Sequence, residues 1–531
     1  MKRVQLKANM KQVLSIFAVL VLYLLGSLTL LADVKLPSHF SDHMVLQRDM
    51  KTPIWGVAQP GEEITVEFAG QKKSAKAGPD GKWRVDLDPM PASSEGRVLT
   101  VTGSDAGKAV KFADVLVGEA WLCSGQSNMD FTVAKTDKFY FCGVTNEAQE
   151  VAAAHYPLIR MFTSDSARSY APRDDIPGCY WKVCTPENVR EFCAVGYFFA
   201  RDLQKEIKVP IGILTLTYGA STAQAWMRRE ALAANPRLKP MLEEFDADVK
   251  RAASETNRIA REAKLKKWEQ AQASAKAAGK AAPKRPKVFE PEQDQHSPTV
   301  MFNGVIAPVI PFAIRGVLWY QGESITTGGV ALYPLLQSTL IEDWRQLWNE
   351  GDFPFYVCQL AAFGHPVTDP NVPGKIPATR EAQATALSLP NTGMAVTIDI
   401  GDATNIHPKN KQDLGSRLMR IALAKVYGRQ TEYSGPTFAN MKIDGGVIRM
   451  NFSHIGGGLT AKGGPLRQFA IAGADGKYVW ADASIDSGSV LVSSPQVAAP
   501  VAVRYAWADN PEDCNFYNAE GLPAVPFSAR K

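Results

Sequence analysis

The chain has 531 residues, 45% hydrophobic and 21% charged, with 41 Gly and 34 Pro. That composition excludes a largely disordered, collagen-like or coiled-coil protein, and at about 150 residues per domain the length suggests about three domains. The net charge of +5 falls to +1 without the four basic residues of the first 32, too weak a positive balance for a nucleic-acid partner. In chain order, Lys2, Arg3, Lys7 and Lys11 precede an apolar run over 13–32, and Ala32 before Asp33 fits a cleaved signal peptide over 1–32. About 20 apolar residues also span a bilayer, so a retained anchor is the alternative. Both readings export the body, to a secreted or periplasmic location, and no later run is long enough to cross a membrane. Seven Cys follow, at 123, 142, 179, 184, 193, 358 and 514. Export permits disulfides, and the odd number leaves at least one thiol unpaired. Cys179 and Cys184 either close a small loop around Trp181 or stay as buried thiols. No CxxC pair or His-rich partner accompanies them, so neither a metal nor another cofactor is expected.

Residues 33–113 predict an N-terminal β-sandwich-like domain. Ile64, Val66 and Phe68 alternate after the Pro60-Gly61 turn, and Trp83, Val85 and Leu87 after Asp80-Gly81. Residues 114–428 change character. Short apolar strands over 115–122, 211–216, 316–320, 355–360 and 394–398 alternate with helices such as 195–207, 335–347 and 411–426. That order predicts an α/β domain with a mostly parallel sheet flanked by helices. An insertion over about 237–290 interrupts it. Residues 241–278 lack Pro and Gly and predict a long solvated helix or helical hairpin, followed by an Ala-Lys-Pro linker over 275–288. Residues 429–531 return to a β-rich pattern, with turns at Asp444-Gly445 and Asp475-Gly476 and alternation at Val501, Val503 and Tyr505. No internal repeat is visible.

Chemistry concentrates at strand ends, where open α/β sheets carry their catalytic groups. Gly118-Glu-Ala-Trp-Leu-Cys-Ser-Gly-Gln-Ser127-Asn-Met129 takes a strand into a tight turn that presents a Ser hydroxyl, with backbone N–H groups available to an oxyanion. The same Ser also suits a helix N-cap. Of seven His, only His407 stands just past a strand with acids nearby, in Asp399-Ile-Gly-Asp402-Ala-Thr-Asn-Ile-His407-Pro-Lys409. A third strand end carries Gln321, able to donate to an oxyanion, and Glu323, able to orient an imidazolium. Gly219 marks a fourth. Residues alone support a Ser hydrolase and go no further.

Together these segments resemble the sialate O-acetylesterase family, a branch of the SGNH-type esterases. The matching motifs are Gly125-Gln-Ser-Asn-Met129, Tyr218-Gly-Ala-Ser-Thr-Ala-Gln-Ala-Trp226, Gly316-Val-Leu-Trp-Tyr-Gln-Gly-Glu-Ser324, Arg380-Glu-Ala-Gln383 and Ile406-His-Pro with Lys409. Flanking matches include Met44-Val-Leu-Gln-Arg48, Tyr505-Ala-Trp-Ala-Asp-Asn-Pro511 and Glu520-Gly-Leu-Pro-Ala-Val-Pro-Phe527, so the likeness spans about 34–528. The resemblance implies an SGNH-hydrolase-like core with accessory N-terminal and C-terminal β-rich regions, and serine-esterase deacetylation of carbohydrate through an acyl-enzyme. It matches Ser127 to the nucleophile, His407 to the base and Gly219 to the oxyanion glycine. Gln321, with Gln126 and Asn128 beside the nucleophile, is expected on the oxyanion or substrate side. Glu323 is favoured as the acid behind His407, ahead of Asp402 and Asp399. The chain departs from the family pattern at Ala220, Gln224, Ile325 and Asn405. The first three leave the acyl group and the sugar open, the latter between sialic acid and an acetylated hemicellulose such as xylan, and Asn405 leaves the third triad member open among Glu323, Asp402 and Asp399. A non-catalytic carbohydrate-binding protein on an esterase scaffold is the alternative of a different class.

Overall fold

The computed structural model describes residues 34–531 except 138–139, 165–166, 177 and 326–328. The expected signal segment lies outside them. The chain packs as two compact units. The smaller combines residues up to Leu36 with Pro53–Leu87 and Val98–Phe112; the larger takes Pro37–Thr52, Asp88–Arg97 and Ala113–Lys531.

The first strand, β1 (Val45–Gln47), belongs to the larger unit. The smaller unit is built on β2 (Thr52–Val57), β3 (Glu63–Phe68), β4 (Gln71–Lys76), β5 (Lys82–Leu87) and the second half of β6 (Ser93–Thr102). β3 pairs antiparallel with β4 and β6, and β2 pairs with β5. Ile64, Val66, Phe68, Trp83, Val85 and Leu87 are all buried, as the period-2 alternation requires.

In the larger unit the main sheet uses β7 (Val110–Gly125), β8 (Tyr156–Thr163), β9 (Tyr180–Cys184), β10 (Ile211–Thr217), β11 (Gly316–Tyr320), β12 (Phe355–Cys358) and β13 (Thr392–Ala395). Their order is β13-β12-β11-β7-β10-β8-β9, parallel except for β9, which runs antiparallel to β8. The chain leaves β7 toward β8 and β10 and later returns on the other side through β11. The strand order therefore reverses at β7, and such a reversal opens a crevice at the carboxyl ends of the strands. Register brings Gly125, Thr217 and Tyr320 level at that edge.

Eight α-helices are described: α1 (Glu147–Ala152), α2 (Ala194–Ile207), α3 (Arg229–Ala234), α4 (Lys239–Ala253), α5 (Glu255–Ala277), α6 (Tyr333–Trp348), α7 (Ile376–Ala384) and α8 (Lys411–Lys425). α2 and α8 pack together against one face of the sheet, and their apolar residues meet Trp121, Cys123, Leu318 and Tyr356 in the main core. Each large side chain buried there contributes roughly 1.5–3 kcal/mol of transfer free energy. The insertion is two helices, α4 and α5, broken where Ser254 takes an extended backbone (ψ 144). α5 buries no residue at all. None of the described helices is long and apolar enough to cross a membrane.

The C-terminal strands are β14 (Thr437–Asp444), β15 (Val447–Ser453), β16 (Leu459–Ala461), β17 (Phe469–Ala472), β18 (Tyr478–Trp480), β19 (Asp482–Asp486), β20 (Ser489–Ser493), β21 (Ala502–Tyr505), β22 (Phe516–Asn518) and β23 (Phe527–Arg530). They form antiparallel sheets in the orders β14-β15-β20-β19, β16-β22 and β18-β17-β21-β23. All seven cysteines are thiols, so of the two readings of Cys179 and Cys184 the closed loop is not formed. The Cys184 thiol points at Ala154 O and the Cys179 thiol donates to Ile176 O.

Candidate active site

β7 ends at Gly125, whose φ of +133° suits only glycine; a Cβ there would stand 2.1 Å from Tyr320 O. That close approach lets Gln126 N donate to Tyr320 O at 2.9 Å and turns the chain off the sheet. Met129 N and Asp130 N then both donate to Gln126 O, closing a single turn that carries Ser127 half-buried on its surface. His407 Nε2 stands 2.9 Å from Ser127 Oγ. The imidazole lies over Phe141, with ring centroids 4.5 Å apart, and the His407 N–H donates to Asn405 Oδ1 at 2.9 Å. Burial, reinforced by the Lys411 charge, draws the His407 pKa down to about 4. The ring is thus a neutral acceptor at ordinary pH, the state a general base needs.

After β10, Tyr218 N donates to Gly125 O, and a Cβ placed on Gly219 would lie 3.8 Å from Ser127 Cβ. Neither the Ser127 N–H nor the Gly219 N–H donates to a protein acceptor among the described residues. Both are therefore available beside the hydroxyl.

Three expected residues are engaged elsewhere. Gln321 is fully buried, and its amide nitrogen donates to Gln126 Oε1 and Ser221 O, 3.2 Å each. Gln126 Oε1 also accepts from Gly322 N and Ser324 N, so these two amides lock the end of β11 to the turn after β7. Asn128 Nδ2 donates to Glu323 Oε1 at 2.5 Å and to Ile406 O at 3.0 Å, and its Oδ1 accepts from Lys411 Nζ at 2.6 Å.

The acid candidates separate by their contacts. Asp399 holds Arg417 through two contacts of 2.7 Å and accepts from the Tyr517 hydroxyl. Asp402 accepts from Thr404 N, Thr404 Oγ1 and Asn405 N, and those donors hold its carboxyl below the usual carboxylate range. It shapes the loop before His407. Glu323 is partly buried, and its desolvation pushes its carboxyl above the usual range against the opposing pull of Asn128 and Lys411. Among the described residues no carboxylate makes a hydrogen bond or ion pair with the His407 ring. Glu323 reaches the Ser–His pair through Asn128.

Sequence reasoning passed over two features. Lys411 reads as an ordinary helix-start lysine, yet it is buried beside Asn128. The Arg380-x-x-Gln383 motif gave no hint of role. Arg380, wholly buried, donates to the carbonyls of Leu360, Ala361, Ala508 and Asp509. Gln383 accepts from Leu360 N and donates to Gln321 O and Cys358 O, so α7 braces the ends of β11 and β12. A cavity of about 160 Å³ opens beside the network, with Leu360, Phe363, Ile376 and Ile406 on its walls and Asn128 and Glu323 also lining it. Among the described residues no cluster of His, Cys, Asp and Glu has the make-up of a metal site.

A Ser–His pair at the switch point of a parallel sheet, with free N–H groups beside it, defines an SGNH-type α/β hydrolase. The family model for carbohydrate esterases described as sialic acid-specific acetylesterases matches residues 300–424. A carbohydrate acetylesterase of known structure from Xanthomonas citri is 35% identical, covers 94% of this chain and 100% of its own, and superposes with a TM-score of 0.78. Sialate O-acetylesterase of Mus musculus is 27% identical over 93% of this chain and 94% of its own length. That of Homo sapiens is 27% identical over 93% and 92%. The chain belongs to the sialate O-acetylesterase family of carbohydrate esterases. It is a carboxylic ester hydrolase acting on acetylated carbohydrates.

Proposed function

We propose that this enzyme is exported and removes O-acetyl groups from a sugar through an acyl-enzyme on Ser127. The 2.9 Å contact between Ser127 Oγ and a neutral His407 Nε2 carries the reading. Ser127 Oγ attacks the acetyl carbonyl carbon while its proton passes to Nε2. The carbonyl oxygen, now an oxyanion, accepts from the Ser127 and Gly219 N–H groups. Collapse expels the sugar oxygen, which takes the proton from Nε2 and leaves as the alcohol. Water, deprotonated by the same nitrogen, attacks the acetyl-Ser127 ester. Acetate departs and Ser127 recovers its proton.

In this reading residues 114–428 hold the chemistry, while 33–113 and 429–531 are accessory. The substrate is sialic acid acetylated on a hydroxyl or another acetylated sugar, with acetyl xylan the chief rival. The names of the relatives support the first, and the departures at Ala220 and Gln224 keep the second in play. Release of p-nitrophenol from its acetate ester should fall by several orders of magnitude in Ser127→Ala, while Ser124→Ala serves as control. Full activity in the Ser127 variant would overturn the reading. No release by the unaltered enzyme would favour a binding protein instead. Acetate release from a panel of acetylated sialosides and xylans then ranks the sugars. Mass spectrometry of exported material should find Asp33 or a near neighbour at the N-terminus; an intact start in the membrane fraction would favour the anchor.

A further inference from the structure

Lys411 is the first residue of α8, capped by Asn410, and its side chain is 1% exposed. The ammonium donates to Asn128 Oδ1 at 2.6 Å and faces the rings of Phe131 and Tyr320, 4.7 and 5.4 Å from their centroids. Burying a cation is costly unless it is paired, and the partner chemistry is present. The donor-only ammonium fixes which end of the Asn128 amide is oxygen. The amide nitrogen then has to face the acceptors Glu323 Oε1 and Ile406 O, as it does. Asn128 follows Ser127 in the chain and Ile406 precedes His407. One amide therefore clamps the turn carrying the hydroxyl to the loop carrying the base.

We propose that Lys411 is a positioning residue for the Ser127–His407 pair, its buried ammonium orienting Asn128 so that Asn128 holds the His407 loop against the nucleophile turn. The inference rests on the reading that these two residues do the chemistry. It assigns to a Lys–Asn–Glu chain the holding task that a carboxylate performs in a Ser–His–Asp triad. Among the described residues the charged and titratable groups around the ammonium are Glu323, His407, Tyr320 and the thiols of Cys142, Cys193 and Cys358. Burial lowers the Lys411 pKa to about 8 against the pull of Glu323, so its charge is present at neutral pH and lost in mild alkali.

The test uses the full chain, p-nitrophenyl acetate and pH–rate profiles. Lys411→Met should lower kcat by about 10²-fold, the scale of a small misplacement of reacting groups. KM should stay within about twofold, since substrate contacts are untouched. The acid limb of kcat/KM should move to higher pH, because a cation opposing protonation of His407 is gone. Asn128→Ala should give a similar loss, and the double variant should be no worse than the poorer single one. Lys411→Arg, which keeps the charge, should hold the acid limb in place. An unchanged kcat and acid limb in Lys411→Met would overturn the proposal. So would a lower kcat with the limb unmoved and losses that multiply with those of Asn128→Ala. Should the Met variant fail to fold by circular dichroism, Lys411→Gln is measured under the same criteria. Ser127→Ala runs beside them: activity there sinks the nucleophile assignment itself, a failure separate from that of Lys411.

Discussion

His407 carries its function through what surrounds it. Its pKa of about 4 lies below the ordinary imidazole value because burial disfavours the cation and Lys411 repels it. The base is therefore neutral, and the enzyme active, well below pH 6.5. We expect kcat/KM to hold between pH 5 and roughly 6.5, where an unshifted imidazole would already be protonating. A limb near pH 6.5 in the pH–rate profile would contradict this. At Glu323 the holding contact goes to Asn128, so Glu323→Gln should cost turnover about 10²-fold by loosening that clamp. Asp402→Asn removes a partly exposed loop cap and should cost less. A larger loss in Asp402→Asn than in Glu323→Gln would place the controlling acid in the His407 loop. The motif and its strand-end setting made Ser127 and His407 legible from sequence. Lys411 was not, because a lysine opening a helix carries no mark of burial, and its partners lie 283 and 88 residues away in the chain.

Among the elements, the short apolar strands announced themselves, since a buried parallel strand is a continuous hydrophobic run. β8 did not, because Arg160 interrupts its apolar residues. That arginine is buried and donates to Asp114 at 2.9 Å, a pairing only the fold supplies. The β7–β11 junction gives a sharp prediction. Gly125→Ala should abolish activity and destabilise strongly, because the Cβ both strains a φ of +133° and meets Tyr320 O. At the opposite end of the sheet the buried Glu119 pairs with Arg48 and Arg315, at 2.5 and 2.6 Å, and accepts from Gln47. Glu119→Ala strands two arginines and should cost about 3–5 kcal/mol in chemical denaturation. By contrast α5, with no buried residue, contributes little to any core. Replacing 255–284 by a short Gly/Ser linker should leave the melting temperature and esterase rate nearly unchanged. A large fall in either would show that the helix does more than decorate.

At the scale of the whole molecule, acid should unfold it from the histidine side. His39 is fully buried beside Phe40 and Phe312, and burial takes its pKa to about 3. For His39 and His407 the folded pKa lies below the unfolded value of about 6.5. Between those values the unfolded chain binds protons that the native state refuses, so stability falls as pH drops from about 6.5 toward 3. His39→Phe should flatten that slope in urea titrations across the range; an unaltered slope would remove His39 from the account. The cysteines lead to a different use. Burial raises the thiol pKa values of Cys142, Cys179, Cys184 and Cys514, the last three to about 12, and pushes those of Cys123 and Cys358 well above the ordinary thiol value. Thiolate is the reactive form, so alkylating reagents should label the native protein slowly. All seven cysteines lie in the larger unit and none in the smaller, whereas Trp55 and Trp83 belong to the smaller. Pulsed alkylation with mass spectrometry thus gives this chain a built-in gauge of opening in the larger unit alone.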